Sequence, residues 1–141
     1  AARFLARPAW QLEAAEQEQI AAETLAVLAE PVFAPLFGPG SRAEVPIVGL
    51  VGRHVVAGQV DRLVVTEDAV LVVDYKTNRP PPLAVADVAD AYLRQMAAYR
   101  GALKDLYPGR PVRCALLWTD GPRLMELPAD RLDTLIEEMA R

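Results

Sequence analysis

The stretch GQVDRLVVTEDAVLVVDYKTN, residues 58–78, decides how this chain folds. Two short apolar runs flank Glu67-Asp68, and each run carries one aspartate, Asp61 and Asp74. Runs rich in Val and Leu around a short polar centre read as the arms of a β-hairpin. A symmetric turn centred on Glu67 and Asp68 pairs residues whose numbers sum to 135. That register sets Asp61 opposite Asp74 and Gln59 opposite Lys76. Side chains alternate faces along a strand, so Asp74 and Lys76 share a face while Tyr75 points the other way. Directly opposed residues share a face with Cβ atoms ~5 Å apart. The pattern therefore predicts two carboxylates and an ammonium at one spot, the arrangement that metal-dependent phosphodiester chemistry uses.

Two carboxylates ~5 Å apart, at an effective dielectric of ~20, repel by roughly 3 kcal/mol. Lys76 offsets part of that, and a divalent cation would offset far more. Mg²⁺ takes oxygen ligands and keeps several waters, so two carboxylates plus phosphate oxygens suit it. The alternative is a solvated hairpin whose acids and base simply face water. A three- or five-residue loop would also shift the pairing by one and send the aspartates to opposite faces.

The rest of the chain narrows the choice. Its 141 residues, 52% hydrophobic, suit one domain with a core of its own. No uncharged apolar run approaches the ~20 residues that span a bilayer, which argues against a membrane partner. The lone Cys114 lies in an apolar run and reads as a small core residue, and His54 has no partner for a His-based metal site. A net charge of −4 argues against tight nucleic-acid binding through bulk electrostatics. It leaves room for a nuclease module to which a larger assembly delivers the strand. No G-x-x-x-x-G-K-[ST] pattern occurs, so any use of ATP belongs to domains outside this chain. The opening Ala-Ala-Arg resembles mid-protein sequence, and the expectation is a C-terminal piece of a longer polypeptide.

Periodicity and breakers predict the element order. A helix is expected over about Trp10–Glu30 with an apolar stripe through Ala14, Ala21, Leu25 and Leu28, then a loop over Phe33–Ser41. Strands follow at Glu44–Val51, Val55–Val65 and Ala69–Lys76, the last two apolar on both faces and so central in a sheet. After the proline-rich Asn78–Leu83 comes a long helix over about Val85–Tyr107, with Val88, Tyr92, Gln95, Met96, Tyr99 and Leu103 on one stripe. Strands at Val112–Thr119 and Arg123–Leu127 and a helix over Ala129–Met139 complete the chain. This order suits a mixed α/β sheet with a crossover helix after the third strand and a helix on each face.

The order G-x-x-D-R-L, D-Y-K-T-N and Q-x-x-x-Y resembles the RecB-type branch of the PD-(D/E)xK nucleases. It looks closest to the C-terminal nuclease domains of the AddA subunits of bacterial AddAB helicase–nucleases. The matching residues are Gly58, Asp61, Arg62 and Leu63; Asp74, Tyr75, Lys76, Thr77 and Asn78; and Gln95 and Tyr99. Upstream, Ala43-Glu44-Val45-Pro46 resembles the acidic first-strand segment of that family. The resemblance implies a restriction-endonuclease-like fold, a central mixed β-sheet flanked by helices. It implies Mg²⁺ or Mn²⁺ on Asp61, Asp74 and the Tyr75 main-chain carbonyl, with Lys76 orienting or deprotonating a water or holding the phosphate. Gln95 and Tyr99 would approach the site or the DNA strand. Glu44 joins either the acidic cluster or the solvated surface, and Arg62, Arg79, Arg94 and Arg100 are candidate phosphate contacts.

The implied activity is exonucleolytic cleavage of single strands from an unwound duplex during double-strand-break repair. It would proceed beside an AddB-like partner, in a bacterial, nucleoid-associated cytoplasmic setting. One residue of the family pattern is missing: a histidine on the helix before the first strand, which joins the metal site. The Trp10–Glu30 helix contains none, so the expectation is that it lies upstream of Ala1 and that the isolated chain cleaves weakly or not at all. Two other readings remain open. One is a catalytically silent DNA-guiding or subunit-docking module on the same fold. The other is a relative acting alone or in a CRISPR setting, which the lack of iron–sulfur cysteines disfavours.

Overall fold

The aspartate-bearing hairpin forms as the pattern predicts. In the computed structural model, which describes residues 2–141, β2 (His54–Val65) and β3 (Val70–Lys76) run antiparallel. Their ladder pairs Arg62 with Val73, Leu63 with Val72, Val64 with Leu71 and Val65 with Val70, so the numbers sum to 135. The Thr66 N–H donates to the Ala69 carbonyl at 2.9 Å and closes the turn around Glu67-Asp68. The ladder stops at Arg62, so neither predicted rung beyond it forms, Asp61 with Asp74 or Gln59 with Lys76; Asp61 reaches the strand through its side chain, at the Tyr75 N–H.

Five strands form one sheet in the order β1 (Ser41–Val51), β2, β3, β4 (Val112–Trp118), β5 (Arg123–Leu127). All neighbours are antiparallel except β3 and β4, which are parallel and joined through α3 (Asp90–Leu106). A parallel pair needs such a crossover because a hairpin cannot reverse the chain twice. Both faces of β4 are buried. Cys114, Leu116 and Trp118 pack with Met96, Leu103 and Leu132 of α3 and α4 (Ala129–Ala140) on one side. Ala115 and Leu117 pack with Phe33, Leu36 and Val27 on the other. Alternating side chains of one strand thus serve two cores.

The N-terminal region differs from the predicted single helix. After a short α1 (Ala2–Leu5) and a 3₁₀ turn at Pro8–Trp10, α2 spans Ala14–Ala29 and starts at a capping box between Glu13 and Glu16. Its predicted stripe is not buried: Leu25 and Leu28 are 59% and 54% exposed, and Val27 is the buried residue of this helix. The segment expected to be loop is a 3₁₀ turn, Pro31–Phe37, whose Phe33 and Leu36 are larger than alanine and cover the sheet instead. The long helix also starts later than predicted, at Asp90, after a 3₁₀ turn at Val85–Asp87. Val88 is extended there yet buried, so its place on the apolar stripe comes from packing, not from helical phase. Among the described residues no single helix is long and apolar enough to cross a membrane.

Candidate active site

Strand alternation breaks at one point in the sheet, and Asp61 occupies it. Val60 and Leu63 lie in the same core although they are an odd three positions apart, so the face of β2 switches between them. The β1–β2 ladder skips a rung at the same level, between Ala43–Arg62 and Val45–Val60, where Glu44 has φ 51°. A non-glycine residue in the left-handed region marks a local kink. Beyond it β2 leaves β3, and the Asp61 carboxylate takes the position that a ladder carbonyl would fill, accepting the Tyr75 N–H at 2.7 Å. The N–H and C=O of one strand residue point to the same edge. Lys76 turns its carbonyl to the β4 edge, where it accepts the Thr119 N–H at 3.0 Å. Tyr75 therefore turns its carbonyl to the opposite edge, beside Asp61, where the ladder has ended.

Asp74 follows Val70 and Val72 on the α3-facing side and is 5% exposed. Burial pushes its carboxyl above the ordinary 3.8; the adjacent Lys76 ammonium opposes that shift, and the Asp61 charge adds to it. Lys76 Nζ lies 2.5 Å from Asp74 Oδ2. It also donates to Gln95 Oε1 at 3.3 Å and sits 3.9 Å from the centroid of the Tyr92 ring. Gln95 Nε2 donates to Tyr99 Oη at 3.4 Å, and the Tyr99 hydroxyl donates to the Gln59 carbonyl at 3.1 Å. An amide in an apolar stripe needs such partners, and Gln95 has them. A Cβ on Gly58 would lie 2.7 Å from Tyr99 Oη and 2.8 Å from its ring, so glycine leaves the room the Tyr99 ring occupies over β2.

The structure thus gathers Asp61, Asp74, Lys76, Gln95 and Tyr99 on one face. Other candidates are elsewhere. Gln59 contributes its carbonyl and does not face Lys76. Arg62 turns to the opposite face, where it donates to Tyr75 Oη at 3.2 Å and to Ser41 Oγ at 3.3 Å and stacks on Phe37. With Tyr75 it borders a separate, mostly apolar cleft of about 290 Å³ under α2. Glu44 is exposed, and no group of three His, Cys, Asp or Glu side chains able to hold a metal occurs among the described residues. The other three candidate arginines have acid partners: Arg79 with Glu23 and Asp120, Arg94 with Asp90 and Glu138, Arg100 with Asp133. Cys114 is a buried core residue whose thiol is pushed up to about 12 by burial. Sequence reasoning missed Tyr92 as a site residue. The available signal was its position three before Gln95 on the same helical stripe.

The oxygens here, two carboxylates and a main-chain carbonyl, are hard donors of the kind Mg²⁺ takes, without a third acidic or imidazole side chain among the described residues.

Residues 1–140 match the family model of the PD-(D/E)XK nuclease superfamily. The chain belongs to that superfamily, whose members often use divalent metal ions. Its fold is similar to the crystal structure of a "Putative exonuclease" from Eubacterium rectale, with a TM-score of 0.64 at 14% identity over 89% of this chain. The chain spans 50% of that structure's length. A second solved structure, of the protein designated SSO0001, aligns with a TM-score of 0.43 at 15% identity over 86% of this chain and 66% of its own. No curated protein sequence matches the chain.

Proposed function

We propose that this chain is the DNA-cleaving module of a bacterial helicase–nuclease, hydrolysing phosphodiester bonds in single strands released by unwinding. The observation that carries the reading is the convergence of Asp61, Asp74 and Lys76 at the point where β2 parts from β3. A structural ion pair needs one acid for one base. A second acid at this spot, beside a carboxylate whose charge burial already disfavours, is explained by a cation that neutralises both.

Asp61, Asp74 and the Tyr75 carbonyl would hold the ion. When bound, Mg²⁺ or Mn²⁺ supplies charge for the scissile phosphate and acidifies a coordinated water. Lys76 offers ammonium hydrogens to a phosphate oxygen or to the attacking water, and Gln95 and Tyr99 keep its amine at that spot. The two aspartates require delivery of the strand by neighbouring domains, because the net charge of −4 does not attract DNA. An ATP-driven motor and an AddB-like partner subunit would supply that delivery, in the bacterial cytoplasm at the nucleoid.

The test is Asp74→Ala in the intact protein, which should abolish degradation of single strands while leaving unwinding unchanged. Persistent degradation would refute the assignment. The isolated chain should bind metal weakly and cleave little, because among the described residues no third acidic or imidazole side chain joins the two aspartates. That same shortage favours the second reading, a silent DNA-guiding module. Metal-dependent cleavage by the intact protein separates the two.

A further inference from the structure

Resting on the nuclease reading, we propose that Tyr92 is a positioning residue for Lys76, acting through the face of its ring. The ammonium has three neighbours: Asp74 Oδ2 at 2.5 Å, Gln95 Oε1 at 3.3 Å and the Tyr92 ring at 3.9 Å. These three contacts differ in what becomes of them when a cation is held. Asp74 offers its carboxylate to both Lys76 and the ion, so that contact weakens as the site fills. The ring face offers only its quadrupole, to which a divalent ion coordinated by hard oxygens makes no claim. Tyr92 and Gln95 are therefore the contacts that keep Lys76 aimed when Asp74 is shared.

The ring is itself fixed. Tyr92 lies in the first turn of α3, three residues before Gln95, so both reach the same spot from one rigid helix. Its hydroxyl donates to Asn78 Oδ1 at 3.2 Å, just beyond the end of β3. Its ring packs at 6.5 Å, tilted by 53°, on buried Trp118, the β4 residue paired with Lys76. This places an aromatic face against Lys76 from a residue outside the D-x-x-…-D-x-K and Q-x-x-x-Y spacings.

The test uses Tyr92→Phe and Tyr92→Leu in the intact protein, with kcat and KM measured on single-stranded DNA with Mn²⁺. The same variants are followed by the ¹H–¹³C resonance of the Lys76 ε-methylene, which a ring face shifts upfield. Tyr92→Phe should keep kcat within about twofold and keep the upfield shift. Tyr92→Leu should lower kcat about tenfold, a loss within the range of a partly buried cation–π contact, leave KM unchanged and return the resonance to its ordinary position. A wild-type resonance without ring shift overturns the proposal, as does a Tyr92→Leu enzyme with unaltered kcat. Equal losses in both variants would assign the effect to the hydroxyl and also overturn it. Failure of the nuclease reading shows differently: the wild-type protein would not cleave, or would still cleave after Asp74→Ala, whatever the ring does.

Discussion

Two carboxylate–cation pairs flank α3, and their electrostatics run in opposite directions. At the site, Asp74 meets Lys76, yet burial wins and its carboxyl is raised above 3.8. Between α3 and α4, Asp133 accepts two bonds from the Arg100 guanidinium, at 3.0 and 2.9 Å, and one from Lys104 at 3.1 Å. Those bonds outweigh burial and hold Asp133 below 3.8. The difference is geometric. Asp133 is half-exposed and faces two cations, with a bidentate fork on one side. Asp74 is buried, faces one ammonium and has a second carboxylate beside it. One pair ties helices together. The other holds a charge that burial and a neighbouring carboxylate disfavour.

The comparison breaks most readily at Asp74. In the intact protein, Asp74→Asn should reduce cleavage by at least about 10³-fold, the scale of removing a group that stabilises transition-state charge. Its melting temperature should stay level or rise, since the raised carboxyl costs stability at neutral pH. A lower melting temperature would mean that Asp74 is a structural acid like Asp133. Next comes Gly58→Ala, which forces Tyr99 away from its place over β2. Denaturant melts should show a loss of about 1–3 kcal/mol, with a fall in kcat because Gln95 loses its support.

Asp133→Ala should cost about 1–2 kcal/mol, because it strips the buried Arg100 of its partner and the half-exposed acid is partly screened. Cleavage should persist in that variant. If activity falls in parallel with stability, the two pairs are not separable. The smallest effect is in pH. Asp133, with its lowered value, stabilises the fold above pH 3.8, and that stability is lost as pH falls through its folded value. Asp74, with its raised value, acts oppositely, and its cost appears as pH rises above 3.8. Acid unfolding curves of Asp133→Asn and Asp74→Asn should therefore diverge from the parent in opposite senses.

The hairpin register was legible as far as Arg62 and Val73 because strand period and turn symmetry are local, and pairing Leu63 with Val72 keeps both in one core. Gln95 and Tyr99 were legible for the same reason, since helical spacing alone puts them on one stripe. The kink at Asp61 was not. Nothing in Ala43-Glu44-Val45 announces a left-handed Glu44. The arginines misled because their acids are far away in sequence, as with Arg79 and Glu23 or Arg100 and Asp133. For α2, the stripe through Leu25 and Leu28 was real in sequence, but Phe33 and Leu36 reached the sheet first.

Whether Asp61 and Asp74 share one divalent ion is read from Mn²⁺ binding followed by electron paramagnetic resonance. The intact protein should bind Mn²⁺ at a site that is lost in both Asp61→Asn and Asp74→Asn and kept in Asp133→Asn. Undiminished binding in either of the first two variants would show that the two aspartates do not hold a common ion.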